Sequence, residues 1–267
     1  MKRQFIKILS FLILILVLSG CEGVFEYSPY EAVVSASYKN TTQKNLDRIK
    51  AIAVNDTTFK FALISDSHYR YDDLKAALNS INSNREILFV IHCGDFTDLG
   101  LHLEYKVFHD VMSSLKVPYL TVIGNHDSRS NGAEIYGDMF GTHNYSFSFN
   151  NNKFILMDDI MWEADQRLDS NWLRNELSEE IKYDNRFVIS HIPPFAKDFE
   201  ALDENCYRYL MSDNKIQLSI HGHIHYYSYY EPYNDGIKYL LIPNIQKRSY
   251  VVVTVNKNSF IHKQVNY

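Results

Sequence analysis

The stretch "EILFVIHCGD", residues 86–95, decides the fold. Ile87 to Ile91 is an unbroken apolar run without alternation, as in a strand covered on both faces. It stops at Gly94 and Asp95, where an apolar strand gives way to a turn and a carboxylate. Outward from it, the same design recurs. "FKFALISD" (59–66), "PYLTVIGNHD" (118–127), "RFVISH" (186–191) and "IQLSIHGH" (216–223) are also apolar runs that end on polar residues. Helical periods lie between them: Leu74, Ala77, Leu78 and Ile81; Leu103, Val107, Val111 and Leu115; Leu173, Leu177 and Ile181; and the segment "FEALDENCYRYLM" (199–211). An earlier helix is expected with Thr42 as N-cap and Leu46, Ile49 and Ala53 on one face. "YSFSFNNNKFILMDD" (145–159) alternates on both sides of Asn150–Asn152 and reads as a hairpin. After Tyr226 the runs "KYLLIP", "SYVVVTVN" and "SFIHKQV" read as antiparallel strands. Strand–helix alternation followed by hairpins implies two sheets with helices outside, an α/β sandwich.

The bulk numbers agree. A chain of 267 residues with 46% hydrophobic and 14% aromatic residues can bury a large core. Its net charge of −5 argues against broad nucleic-acid binding through a basic surface.

The N-terminus reads as a processing segment. Lys2, Arg3 and Lys7 precede an apolar run, Ile8–Leu18, interrupted only by Ser10. The run is too short to span a bilayer comfortably, which takes about 20 residues. "LSGC" (18–21) resembles the lipobox of bacterial lipoproteins, which implies cleavage before Cys21 and lipidation of its thiol; an ordinary secretory signal is the alternative. Losing residues 1–20 removes three cationic side chains and takes the net charge from −5 to −8. The expected organisation is a signal peptide (1–20), a lipid-anchored tether with a short helix (21–58) and one domain (59–267). The chain is then exported and membrane-anchored in the cell envelope, on the periplasmic or cell-surface side. Cys93 reads as a small buried residue in its strand, and Cys206 lies in a helical pattern.

Five strand ends carry residues able to bind a metal: Asp66 and His68 ("DSH"), Asp95 ("GDFTD"), Asn125 with His126 ("GNHD"), His191, and His223 with His225 ("GHIH"). Each alone has a bland reading as a turn or a core histidine. Together they lie at the carboxyl ends of strands, where open α/β sheets place their ligand crevice. The i, i+2 spacing of Asp66/His68 and His223/His225 puts each pair on one side if the backbone is extended. Gly222 would let the chain approach closely.

These motifs, over roughly residues 59–226, resemble the calcineurin-like metallophosphoesterase family: D-x-H, GD-x-x-D, GNHD, a lone His, then GHxH. The resemblance implies a four-layer α/β/β/α sandwich of two mixed sheets flanked by helices. It also implies two ions, one held by Asp66, His68, Asp95 and His225, the other by Asp95, Asn125, His191 and His223, with Asp95 shared. By the same resemblance Asp98 orients His126. Nitrogen and oxygen donors without thiolate suit two divalent or trivalent ions such as Mn, Fe or Zn. Such a pair clamps an in-line phosphoryl displacement and activates a hydroxide between the ions. His126 would then face the leaving oxygen as general acid or charge stabiliser. Asp127 is either a supporting residue or a turn residue, and His221 reads as structural.

The expected activity is therefore hydrolysis of a small phosphomonoester or phosphodiester. Other readings are a non-catalytic surface lipoprotein that keeps the fold for binding, or a nuclease or nucleotide phosphodiesterase. The acidic charge weighs against extended nucleic acid. No protein partner is expected. Leu99 and Gly100 follow Asp98 where protein Ser/Thr phosphatases carry Arg-Gly, which puts that activity in doubt. Asp98 stands where purple acid phosphatases place a ligand tyrosine, so no tyrosinate colour is expected. Tyr226, Tyr227, Tyr229, Tyr230 and Tyr233 either line a substrate rim or pack as ordinary strand residues.

Overall fold

The computed structural model describes residues 32–54, 56–163, 165–178 and 181–267. The proposed signal segment and Cys21 lie outside them. Eleven strands form two sheets among the described residues. One sheet has the order β11-β10-β1-β2-β3, built from β1 (Thr58–Ile64), β2 (Ile87–His92), β3 (Tyr119–Thr121), β10 (Ser249–Asn256) and β11 (Ser259–Asn266). The other has the order β4-β5-β6-β7-β9-β8, built from β4 (Tyr145–Phe149), β5 (Asn152–Leu156), β6 (Asn185–Ile189), β7 (Leu218–His221), β8 (Ser228–Tyr230) and β9 (Lys238–Leu241).

The apolar strands are buried on two sides, and the pleat sorts their residues. Phe61 and Leu63 of β1, Phe89 and Ile91 of β2, Phe154 and Leu156 of β5, and Phe187 and Ile189 of β6 share one core between the sheets. The alternate residues Ala62, Ile64, Val90, Ile155 and Val188 pack with the helices instead. The helices are α1 (Thr41–Lys50), α2 (Tyr71–Ser83), α3 (His102–Met112), α4 (Gly132–Phe140), α5 (Ser170–Leu177) and α6 (Ala201–Asp213). The result is two mixed sheets flanked by helices. Strands β1, β2 and β3 run parallel, as do β5, β6, β7 and β9. Their carboxyl ends therefore open on one edge of the sandwich.

Several local expectations change. Helix α1 starts at Thr41 with Asn40 as its cap, in a left-handed conformation that asparagine tolerates, and Ala53 lies beyond it. Leu103 is exposed, because α3 turns Tyr105, Phe108, Val111 and Met112 inward and so buries the larger aromatic face. Helix α5 ends at Leu177, leaving Ile181 exposed. Strand β9 runs parallel to β7 and antiparallel only to β8. The hairpin β4–β5 turns at Asn150 and Asn151, both with positive φ, the pair that a two-residue type I′ turn requires. The short helix α1 is part of the fold: Ile49 enters the inter-sheet core and Asn45 Oδ1 accepts the Tyr119 N–H at 3.2 Å.

Candidate metal centre

The loops after β1, β2, β3, β6 and β7 bring the singled-out residues to one place. Donor atoms of Asp66, His68 and His225 lie within 4.8 Å of one another, as do those of Asp95, His191 and His223. A third group of the same size, His68, Asp95 and His126, joins the two. Asp95 contacts both sides, with Oδ2 at 3.2 Å from His191 Nε2 and 3.9 Å from His68 Nε2. His225 Nε2 sits 3.2 Å from Asp66 Oδ1.

The backbone route to this convergence was not the expected one. Asp66, His68, Asp95, His223 and His225 all have positive φ, between 43° and 64°. The i, i+2 pairs thus converge through left-handed turns, a conformation that costs free energy for residues with a Cβ. Gly222 meets a different demand. A Cβ there would press into Ser65 Oγ and stand 2.8 Å from Cys93 O and 2.9 Å from Asp66 Oδ2.

Hydrogen bonds set which ring nitrogen faces inward. His191 Nδ1 donates to Cys93 O at 2.7 Å, and its buried Nε2 faces the Asp95 carboxylate at 3.2 Å. His68 Nδ1 donates to Thr97 O at 3.1 Å, and His223 Nε2 lies 3.1 Å from Asp198 Oδ2. Metal-binding histidines are oriented in this way, through the nitrogen that does not ligate. Asn125 Oδ1 is buried without a partner. A cation satisfies these inward-facing atoms together, so the residues present fit a metal pair. Burial lowers the pKa of His191, but the Asp95 charge and contact outweigh it and raise it to about 10. Burial alone would raise Asp95; His191, His126 and His68 hold it well below the usual carboxylate range. A bound cation would replace this ion pair and displace the proton from His191.

His126 borders the group. Its N–H donates to Asp95 Oδ1 at 2.8 Å, and its Nδ1 lies 2.9 Å from both Asp98 O and Arg129 Nη1. Asp98 meets His126 through its main-chain carbonyl; its carboxylate Oδ1 stands 3.6 Å from His126 Nδ1 and equally far from His68 Nδ1. Arg129 escaped the sequence reading, since an arginine after a turn carries no spacing signal.

Two buried aspartates hold the loops. Asp127 is fully buried and takes N–H donors from Asp95 (2.8 Å), Phe96 (3.0 Å), Thr97 (2.7 Å) and Gly124 (2.9 Å), with the Thr97 hydroxyl at 2.9 Å. Burial and the nearby Asp95 push its pKa up, and the Thr97 and Gly124 amides oppose the rise. Five donors and no acceptor face it, a set that the ionised carboxylate satisfies. Asp159 receives the His191 and Ile192 N–H groups at 3.2 and 2.9 Å, and burial raises its pKa to about 7. It follows β5, a sixth strand end whose "MDD" carried the same apolar-to-acid signal as the other five. His221 is buried between Ser190 and Ser219, and burial pushes its pKa down to about 3. Of the tyrosines, Tyr227 and Tyr229 pack on His262, Tyr230 on Phe195, and Tyr233 on Tyr239, while Tyr226 stays exposed. Cys93 and Cys206 are both free thiols, the former buried.

The sequence profile of the calcineurin-like phosphoesterases matches residues 59–227. The chain belongs to the calcineurin-like phosphoesterase family. It is 38% identical over 69 residues to the human metallophosphoesterase domain-containing protein 1, covering 26% of this chain and 19% of that one. A probable glycerophosphodiester phosphodiesterase from Arcobacter nitrofigilis is 45% identical over 42 residues, 16% of this chain and 15% of its own. The chain thus matches less than a fifth of the length of either. Among solved structures, a purple acid phosphatase from yellow lupin shares the fold at TM-score 0.63 and 12% identity, with 79% of this chain and 52% of the other covered.

Proposed function

We propose that the chain hydrolyses small phosphomonoesters or phosphodiesters at a two-metal centre. The carrying observation is that two donor groups meet at Asp95, while Asn125 Oδ1 is buried beside them without a hydrogen-bond partner. Asp66, His68 and His225 would hold one ion, Asn125, His191 and His223 the other, and Asp95 both. Mn, Fe or Zn in these positions would supply a hydroxide nucleophile near neutral pH and stabilise the attacking and leaving oxygens. His126, held by Asp98 and Arg129, would protonate or stabilise the leaving oxygen. Two divalent ions outweigh the charges of Asp66 and Asp95, so the loaded centre would attract an anionic substrate.

The test is hydrolysis of bis-p-nitrophenyl phosphate and of p-nitrophenyl phosphate with Mn, Zn or Fe. His126→Ala should lower kcat about 10²–10⁴-fold, the range for loss of a positioned proton donor. Wild-type protein that cleaves neither ester with any ion would overturn the proposal.

We also propose export and lipid attachment at Cys21, supported by the basic start, the short apolar run and the "LSGC" sequence. Fatty-acid labelling that survives Cys21→Ser would refute it.

A further inference from the structure

Asn125 differs from the other six proposed ligands, because its side chain has two unlike ends. The amide nitrogen is a donor only, so a cation must meet Oδ1. Here Nδ2 donates to Glu163 Oε1 at 3.1 Å, while Oδ1 is buried and unpartnered. Glu163 can only accept when ionised; a turned amide would set Oδ1 against the carboxylate and aim the NH₂ group at the ion. The contact therefore selects one of two orientations.

The segment carrying Glu163 is pinned on both sides. Ile160, Met161 and Leu168 are buried. Asp158 Oδ1 accepts the Ile160 N–H at 2.8 Å, and its Oδ2 meets His143 Nδ1 at 2.8 Å. Gln166 donates from its backbone to Met161 O (3.1 Å) and from its side chain to Ile160 O (3.2 Å); Arg167 Nε reaches Asp203 Oδ2 at 2.7 Å. Glu163 is thus presented to Asn125 by a built loop, outside every motif that the sequence singled out.

We propose that Glu163 is a positioning residue for the second ion: it fixes the Asn125 amide so that its oxygen is presented to the metal. The assignment rests on the two-metal reading above. Its test is stepwise Mn²⁺ binding to the full chain by calorimetry, with EPR reporting the coupled Mn²⁺ pair. Glu163→Ala should weaken the second Mn²⁺ about 10–100-fold, the usual cost of losing a ligand's orienting partner, and leave the first unchanged. Glu163→Gln, whose amide oxygen still accepts from Nδ2, should restore most of the affinity.

The decisive arm uses Asn125→Asp. A carboxylate has two equivalent oxygens and no orientation to select, and Glu163 beside it only repels. In that background Glu163→Ala should leave the second affinity unchanged or raise it. Equal weakening in both backgrounds, or equal loss at both ions, makes Glu163 merely structural and overturns the assignment. So does a Glu163→Ala protein that binds both ions like wild type. Wild-type protein that binds no Mn²⁺ pair overturns the two-metal reading and this assignment with it; a wild-type pair unaffected by Glu163→Ala overturns this assignment alone.

Discussion

Replacing Asp127 by asparagine changes almost no volume but removes one acceptor. Oδ2 of Asp127 receives the Asp95 and Gly124 amides, and Oδ1 receives the Phe96 and Thr97 amides with the Thr97 hydroxyl. In Asp127→Asn the single oxygen would take the three-donor side, leaving the new NH₂ against two buried N–H groups. Each buried donor without an acceptor costs about 1–3 kcal/mol, so the pair costs about 2–6 kcal/mol. Relief of repulsion from Asp95 offsets part of this, so net destabilisation of about 1–4 kcal/mol is expected. Domains of this kind are stable by roughly 5–15 kcal/mol, so the variant should fold and be measurable. Urea unfolding of metal-free protein reads the difference directly. The lost contacts are those of Asp95 and of Gly124, the neighbour of Asn125, so Mn²⁺ affinity should fall as well. An unfolding free energy equal to that of wild type would refute the claim that Asp127 is an ionised clamp.

Two further outcomes follow from other contacts. Gly222→Ala would force its Cβ against Ser65, Cys93 and Asp66, and displacing a reacting group by about 1 Å can cost 10²-fold; hydrolysis of bis-p-nitrophenyl phosphate at wild-type rate would show that the backbone tolerates the group. Burial works against protonating His143, but its hydrogen bond to Asp158 and that residue's charge outweigh it and raise the pKa. This stabilisation is fully present below the unfolded value near 6.5 and lost as pH rises through the folded value. His143→Phe in metal-free protein should therefore cost more stability at about pH 5.5 than at about pH 9, and equal loss by urea unfolding at both would contradict the ion pair.

The sandwich was legible because its strands are apolar on both faces and stop at polar residues; that signal depends on burial alone. Helix faces were harder. Leu103, Val107 and Val111 make a regular stripe, yet α3 turns Tyr105 and Phe108 inward, because two rings bury more area than the aliphatic row. Helix α4 went unseen since Gly132 and Gly137 interrupt its pattern and its buried residues, Ile135, Tyr136, Met139 and Phe140, span little more than one turn. Every proposed ligand was visible in the sequence, but Asp159, Glu163 and Asp198 were not singled out. Their roles arise from contacts with His191, Asn125 and His223, and no local spacing encodes a contact across 25 to 38 positions or an exposed loop's reach. Asp159 alone left a trace, as the acid that ends β5.

The five left-handed ligands give that difference a physical basis. An extended i, i+2 pair needs nothing beyond the strand itself, whereas a left-handed Asp or His persists only if its surroundings over-determine it. Five such residues at about 1 kcal/mol each amount to a sizeable part of a domain's net stability. The contacts that offset this are specific. The Asp66 amide donates to Gly94 O and the His68 amide to Asp95 O, both at 3.0 Å, which ties the β1 loop to the β2 loop. The His223 amide meets both oxygens of Asp66 at 3.2 Å, and Asp127 holds the Asp95 amide. Four of the five strained residues are thus fixed through their amides by a loop from another strand, and His225 is tied to one by its side chain, which meets Asp66. The ligands cannot be preorganised one at a time, and the sandwich edge that gathers these loops is as much a part of the metal site as the imidazoles and carboxylates themselves.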